Sequence, residues 1–364
     1  MKRFAKILLN WLLTSSYWVF WTQNVKRNVF KWHIVQPCPS RLYDAGAVQV
    51  GHRLYLVCGY SNLDEVHNSM EVLDLSRNTW QERLDTPKGM AQSHLAICTD
   101  GERFIYIVSG QLGPQCSPAI REGFCYDTRD KVWKDLPPLP EARYAATMQL
   151  WNGRLHIVGG SKQDRYTPAS EHWSLAVKEG EATEAVWRVE PPIPLGGCHR
   201  GSAIMDNTLY VFGAQQGDYT AVPCDPHYTC TGATVEHYST ECYGLRQGDK
   251  EWIRLPDMPV SSTHIDYSTT VIGKKAVLVG GQVYKDLFDF SLKLTDCIQA
   301  YDIESGTWKV IGRLPYRVKT VVTAYHDGWL YAMTGQRDLF PWNASPGRVV
   351  NDVWRARFSD CLEK

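Results

Sequence analysis

The sequence has no excess of either charge. Lysine plus arginine and aspartate plus glutamate both number 39 in 364 residues, for a net charge of zero. A nucleic-acid binder draws affinity from a basic face, so this balance argues against that class, and no nucleic-acid partner is expected. No long Ala-, Glu-, Lys- and Leu-rich stretch is present, which disfavours a helical bundle. A phosphate loop, a serine nucleophile elbow and an H-E-x-x-H pair are also missing, and with them the motif-borne routes to phosphoryl transfer, acyl transfer and zinc hydrolysis.

What the chain has instead is tryptophan (14), tyrosine (19) and glycine (28), in a composition 44% hydrophobic. That mixture favours an all-β chain with a sizeable core. The eleven cysteines are an odd number, which leaves at least one thiol unpaired. Cys58, Cys98 and Cys125 lie in apolar runs and are expected to pack as small hydrophobes. Cys116, Cys224 and Cys230 lie in polar, Pro- and Gly-rich stretches, where disulfides would suit a lumenal domain. Zinc is a competing reading of CDPHYTC (224–230), with His227 between the thiols. No second Cys/His pair stands at ligand spacing, so no metal and no cofactor is expected.

Residues 1–28 form a hydrophobic leader. Lys2, Arg3 and Lys6 precede the run from Ile7 to Trp21, which is short of the ~20 residues of a spanning helix. No small-x-small cleavage site follows it. A signal anchor with a lumenal domain is the favoured reading; an interfacial helix or a mis-assigned start are its rivals.

A period of about fifty residues organises the rest. An apolar run ending in a small pair recurs at LYLVCG (54–59), IYIVSG (105–110), LHIVGG (155–160), LYVFGA (209–214), AVLVGG (276–281) and LYAMTG (330–335). A tryptophan keeps step at Trp80, Trp133, Trp187, Trp252 and Trp308, and Pro-rich punctuation follows four of them, as in KDLPPLPEAR (134–143). Each unit reads as a four-stranded sheet. The apolar run is a strand buried on both faces, the small pair permits a sharp turn without a Cβ clash, and the tryptophan anchors one sheet on the next. Such a sheet covers both faces only when the units are arranged radially. After the sixth run, NDVWRARF (351–358) supplies a third strand and the chain ends. VFKWHIVQP (29–37), with Trp32, is the donor of the missing outer strand, so N- and C-terminal strands close the ring in one sheet. Cys38 and Cys361 flank that seam.

The small pair, the spaced tryptophan and the fifty-residue period resemble kelch repeats of the galactose-oxidase/kelch superfamily, over residues 29–358. The resemblance implies an all-β, six-bladed kelch β-propeller spanning 29–364. More narrowly, SHLAICTDG (93–101), YIVSGQLGPQC (106–116), RYAATMQLWNGRLHIVGGSK (143–162) and DGWLYAMTGQRD (327–338) resemble plant endomembrane kelch-repeat proteins. That likeness implies a single-pass protein of Golgi or endosomal membranes with a lumenal propeller.

The candidate site is one mouth of the central channel. Long polar loops reach it after each small pair, with Gln111, Gln215, Gln282 and Gln336 directly behind the pair. The segments entering the next strand bring Arg41, His94, Arg143, His199, Arg200, His264, Arg317 and Lys319. Arginine suits carboxylate or phosphate, and glutamine suits sugar hydroxyls. The alternative is structural, with these side chains bonding exposed carbonyls and waters of the channel. Asn343 opens the N-x-S/T sequon of the last long loop, a glycosylation candidate.

No catalytic residue is assigned. Copper-radical oxidases of the superfamily need a Tyr/His/Cys constellation that is not recognisable here, and the Glu-x3-Asp-x3-Cys pattern of iron-binding specifier proteins is absent. The bacterial sialic-acid mutarotase is similar in having a six-bladed kelch ring. By that analogy alone, His199 with Arg200, or His264 with Asp266, would be an acid–base pair. The expected function is a membrane-tethered binding module for a protein or glycan, acting as a monomeric propeller, with a mutarotase- or epimerase-like enzyme as the alternative.

Overall fold

The computed structural model describes residues 30–358 except 62–64, 82, 88, 115–116, 219–234, 287, 289–290 and 341. The leader, Cys116, the CDPHYTC segment with Cys224, His227 and Cys230, and Cys361 lie outside the described residues. The chain forms antiparallel strands, and six sheets of four or five strands repeat one plan. The first sheet orders Gly46–Val50, Arg53–Val57, Ser69–Asp74 and Thr79–Trp80 as a meander. The innermost strands lie side by side around an axis: Gly46–Val50 against Ala96–Thr99, then Thr147–Trp151, Gly201–Met205, Thr269–Ile272 and Val322–His326. Each apolar run is the second strand, buried along nearly its whole length because its own sheet and both neighbouring sheets cover it.

The ring closes as the termini suggested. His33–Ile34 pairs with Val353–Arg357, the third strand of the last sheet, with His33 opposite Arg355. Tyr331, Met333 and Val353 of that sheet share one hydrophobic cluster with Leu54, Leu56 and Met70 of the first. Cys38, Cys58, Cys98 and Cys125 are all buried, and burial pushes the Cys38 and Cys125 thiols up to about 12 and Cys58 up to about 11.

Two backbone devices join neighbouring blades. In five of the six blades the small pair takes left-handed φ at both positions, as at Ser109 (64°) and Gly110 (100°); in the fourth only Gly213 does. A Cβ on Gly110 would stand 2.6 Å from the Ser93 carbonyl oxygen, which is why only glycine fits. The N–H of the second residue then donates to the next blade: Gly59 to Gln92 O (2.8 Å), Gly110 to Arg143 O (3.1 Å), Gly160 to Gly197 O (2.9 Å), Gly281 to Val318 O (2.7 Å), and Gly335 across the seam to Leu42 O (2.7 Å).

The tryptophan and the proline punctuation prove to be two halves of one latch. Trp187 Nε1 donates to Pro137 O, Trp252 to Pro191 O (both 2.9 Å), Trp308 to Pro256 O (3.0 Å), Trp80 to Gln36 O (3.2 Å) and Trp32 to Arg313 O (2.8 Å). Each ring thus bonds the outer segment of the preceding blade. Trp187→Phe, which removes the donor and keeps most of the area, is expected to cost about 1 kcal/mol, and Trp187→Ala about 3–5 kcal/mol. A Trp187→Phe variant as stable as the parent in chemical denaturation would show that the N–H contributes nothing.

Between the third and fourth blades, two buried histidines form a neutral pair. His172 Nδ1 donates to Pro191 O (3.2 Å), so its Nε2 accepts from His156 Nδ1 (2.9 Å). Burial pushes His156 down to about 3, reinforced by His172 and Arg154, and burial holds His172 at about 4.

Among the described residues, no helix is long and apolar enough to cross a membrane. This corrects the expected placement as a single-pass Golgi or endosomal membrane protein, which rested on the undescribed leader.

Candidate functional site

Every blade enters its innermost strand through one residue of left-handed φ: Asp44, His94, Ala145, His199, His264 and Thr320. Aspartate and histidine are among the non-glycine residues that tolerate this conformation. At three junctions these residues bond in sequence, His94 N–H to Asp44 O, His199 N–H to Ala145 O and Thr320 N–H to His264 O. The residue before each pairs with the residue behind the small pair of its own blade: Tyr43 with Tyr60, Ser93 with Gln111, Tyr144 with Ser161, Cys198 with Gln215, Thr263 with Gln282 and Lys319 with Gln336. The glutamines and histidines therefore do converge on one end of the axis.

They form a buried ionic core. His94 Nε2 lies 3.2 Å from Asp44 Oδ2. His199 sits between Asp266 (Nδ1 to Oδ2, 3.3 Å) and Asp218 (Nε2 to Oδ2, 3.9 Å) and stacks on His264 with centroids 3.7 Å apart and planes at 11°. Burial opposes charge on His199, yet the Asp218 and Asp266 carboxylates raise it to about 9. His264 is driven far below its ordinary value, first by burial and then by the His199 cation against its face. Two stacked rings cannot both be charged, and the carboxylates select His199. Arg165, buried as well, donates from Nη2 to Tyr144 Oη (2.8 Å), stacks on that ring and lies 3.5 Å from Asp218.

A second network continues from it. Lys285 Nζ donates to Glu236 Oε1 at 2.6 Å, Tyr238 donates to Glu236 Oε2, and the Gln282 amide donates to Tyr238 Oη (2.5 Å). Gln215 Nε2 also reaches Glu236 Oε2 (3.3 Å), and Gln111 donates to Tyr60 Oη.

The candidate residues His94, Gln111, His199, Gln215, His264 and Gln282 are buried, the glutamines bonding Tyr60, Tyr238 or Glu236 and the histidines facing carboxylates or one another's rings. Two arginines do not reach the axis at all. The residue after each left-handed position faces the core between blades and is apolar in five of them: Ala45, Leu95, Ala146, Ile265 and Val321. In the fourth blade that position is Arg200, fully buried, bonding Gly213 O (2.7 Å), Gly197 O (3.1 Å) and Leu195 O. Burial lowers its pKa to about 10. Arg143 lies over the Trp173 ring (4.3 Å), with Nη1 bonded to Ala142 O (2.8 Å) and Nη2 2.9 Å from Glu171. Chain alternation explains both, because residues adjacent to an axial residue point elsewhere.

Arg317 pairs with Asp338 (3.3 Å), Lys319 is buried beside Gln336, and Arg41 is exposed. Asn343 is exposed at a hairpin turn, its side-chain oxygen accepting from Ser345 N–H (3.0 Å). Sequence reasoning missed Asp44, Tyr60, Tyr144, Arg165, Asp218 and Glu236, and it paired Asp266 with His264 where the structure sets it against His199. The available signal was the dipeptide before each innermost strand, which aligns Asp44, His94, His199 and His264 at one position.

Below this core, Tyr267 crosses the channel and donates to Leu95 O (2.7 Å). A cavity of about 180 Å³ lies beyond it, lined by residues such as Gln49, Thr99, Gln149 and Thr270. Asp266, the carboxylate facing His199, lines it together with Tyr267. The histidines of the core have the residue types for acid–base work, but they are buried, with His94 and His199 facing the Asp44, Asp218 and Asp266 carboxylates and His264 stacked on His199.

The solvent-facing part of this end exposes large apolar side chains within loops expected to be polar. Two of the loops fold into hairpins, Gln282–Lys285 with Leu292–Leu294 in the fifth blade and Gln336–Phe340 with Asn343–Val349 in the sixth. The strands Leu292–Leu294 and Asn343–Val349 lie against each other. Tyr284, Leu339 and Phe340 are exposed, Phe288 is 75% and Trp342 82% exposed, and the Phe340 and Trp342 rings stack 5.0 Å apart.

Comparison with known proteins agrees with this architecture. Residues 47–228 match the KLHDC2/KLHL20/DRC7 Kelch-repeats domain. The chain is 41% identical over 327 residues to the Kelch repeat-containing protein At3g27220 of Arabidopsis thaliana, covering 90% of this chain and 76% of that protein. The chain belongs to the kelch-repeat family. The human Kelch repeat and BTB domain-containing protein 13 is 24% identical over 276 residues, covering 68% of this kelch chain and 56% of that protein. Among solved structures, that of YjhT superimposes with a TM-score of 0.65 at 11% identity, covering 88% of this chain and 95% of the other, a likeness of fold. Kelch-repeat proteins serve generally as protein-interaction modules.

Proposed function

We propose that this kelch propeller binds a partner protein through the paired hairpins of its fifth and sixth blades. The observation that carries this reading is the exposure of Phe288, Phe340 and Trp342 on adjacent hairpins, together with Tyr284 and Leu339. Aromatic side chains left in water at a fold's rim mark interaction surfaces, because a fold gains nothing by exposing them and a partner gains by covering them. The rigid ring beneath holds the hairpins in place, so little order is lost on binding. The axial core, closed over its own ion pairs, supplies that rigidity.

The test is affinity capture with the full chain, compared with a Phe288→Ala/Trp342→Ala variant of equal melting temperature. Partners retained by the parent and depleted at least tenfold by the variant support the reading. Capture of the same proteins at the same yield by both overturns it.

A further inference from the structure

The strand Gln336–Phe340 gathers cations on a chain whose net charge is zero. Its register sets Arg337 opposite Arg348 on one side and Val318 on the other, with Lys319 opposite Gln336. Gly335 N–H bonds Leu42 O, which brings Arg41 to the start of the same strand. Arg317 reaches Asp338 from the adjoining segment. Five cations, Arg41, Arg317, Lys319, Arg337 and Arg348, thus surround one strand. The carboxylates nearest them are already engaged. Asp338 is buried and shared by Arg317 (3.3 Å) and Arg337 (3.5 Å), and Asp44 faces His94. Among the described residues no carboxylate lies within 4.0 Å of the charged groups of Arg41, Lys319 or Arg348. Arg337 is held in place by stacking on the Tyr316 ring at 3.7 Å. Like charges opposite each other on paired strands are destabilising, and Arg337 facing Arg348 is such a pair. An added carboxylate between them would relieve that repulsion.

Three residues along the strand from Arg337, roughly 10 Å, Phe340 begins the aromatic patch. Resting on the protein-binding reading above, we propose that the partner presents an extended acidic segment. Its carboxylates lie among Arg41, Arg337 and Arg348, and an apolar residue three or four positions away covers Phe340 and Trp342. The balanced net charge of the whole chain favours a peptide over nucleic acid or a membrane, which require broader basic faces.

Selection of a random peptide library on the full chain tests this, with Trp342→Ala and Arg41→Glu/Arg348→Glu as comparison proteins of verified melting temperature. All the substituted residues are exposed, so folding is not at stake. The expected result is enrichment of peptides with aspartate or glutamate three or four residues from an apolar one. Their affinity should fall at least tenfold on charge reversal and also on raising salt from about 50 to 200 mM. Neutral or basic peptides that bind in a Trp342-dependent, Arg-independent manner would overturn the acidic segment and leave the protein-binding surface standing. No Trp342-dependent peptide at all would remove both. Binding to phosphatidylserine vesicles that Arg348→Glu abolishes, without acidic peptides, would assign the cations to lipid and overturn the proposal.

Discussion

Arg200→Ala is expected to lower the unfolding free energy by about 4 kcal/mol, the largest effect predicted for a single polar residue here. The guanidinium occupies a position that five other blades fill with an apolar side chain, and among the described residues no carboxylate pairs with it; its bonds go to Leu195 O, Gly197 O and Gly213 O. Gly197 O keeps the Gly160 N–H as a partner, so the substitution orphans the other two bonds. Each buried acceptor left bare costs about 1–3 kcal/mol, and the vacated volume adds a cavity term. Arg200→Met, which refills most of the volume, should recover the cavity part alone. Denaturant midpoints at constant slope give the measurement. A loss under about 1 kcal/mol for Arg200→Ala would show that water or a shift of the segment satisfies the carbonyls. A ligand-binding arginine predicts the contrary, a variant of unchanged or improved stability with lost binding.

Stability should peak near pH 6.5 and fall on both sides, because buried histidines are shifted in opposite directions. His156 and His172 have folded pKa values of about 3 and 4, below the unfolded value near 6.5. Their contribution is complete above 6.5. It is lost as pH falls, because the unfolded chain takes up protons that the folded pair refuses. His199, raised to about 9, behaves conversely: its contribution is complete below 6.5 and is lost as pH rises through 9. Each such group changes stability by about 1.4 kcal/mol per pH unit within its window. The alkaline limb, from 6.5 to 9, therefore amounts to about 3 kcal/mol and belongs to His199. Melting curves of His199→Gln should lose that limb and keep the acid one; an unaltered alkaline limb would mean that His199 is neutral in the fold.

The blade plan was legible in the chain because it is built from local constraints repeated in step. The buried second strand must be apolar on both faces. The small pair at Ser109–Gly110 must adopt left-handed φ beside the Ser93 carbonyl, and the terminal strands must share a sheet once the units are counted. The end of the axis where Gln111, Gln215 and Gln282 gather was legible for the same reason, since they follow the small pair. What each side chain does there was not. His199 and Asp266 are 67 residues apart, and Arg165 meets Tyr144 by way of a loop whose course the sequence does not specify. Whether a polar residue at the axis faces solvent or an ion partner depends on its neighbours in five other blades. Arg143 and Arg200 show how one step along the chain exchanges a channel for a core. The exposed tips at Phe288 and Trp342 escaped notice because an aromatic residue in a loop reads the same buried or bare. The sequence by itself determined the repeat, the ring and its closure, because each depends on residues close in the chain or on strand count. Only the tertiary structure decided that the polar mouth is a closed ionic core and that apolar side chains stay exposed on the hairpins beside it. Burial and charge pairing are sums over distant segments.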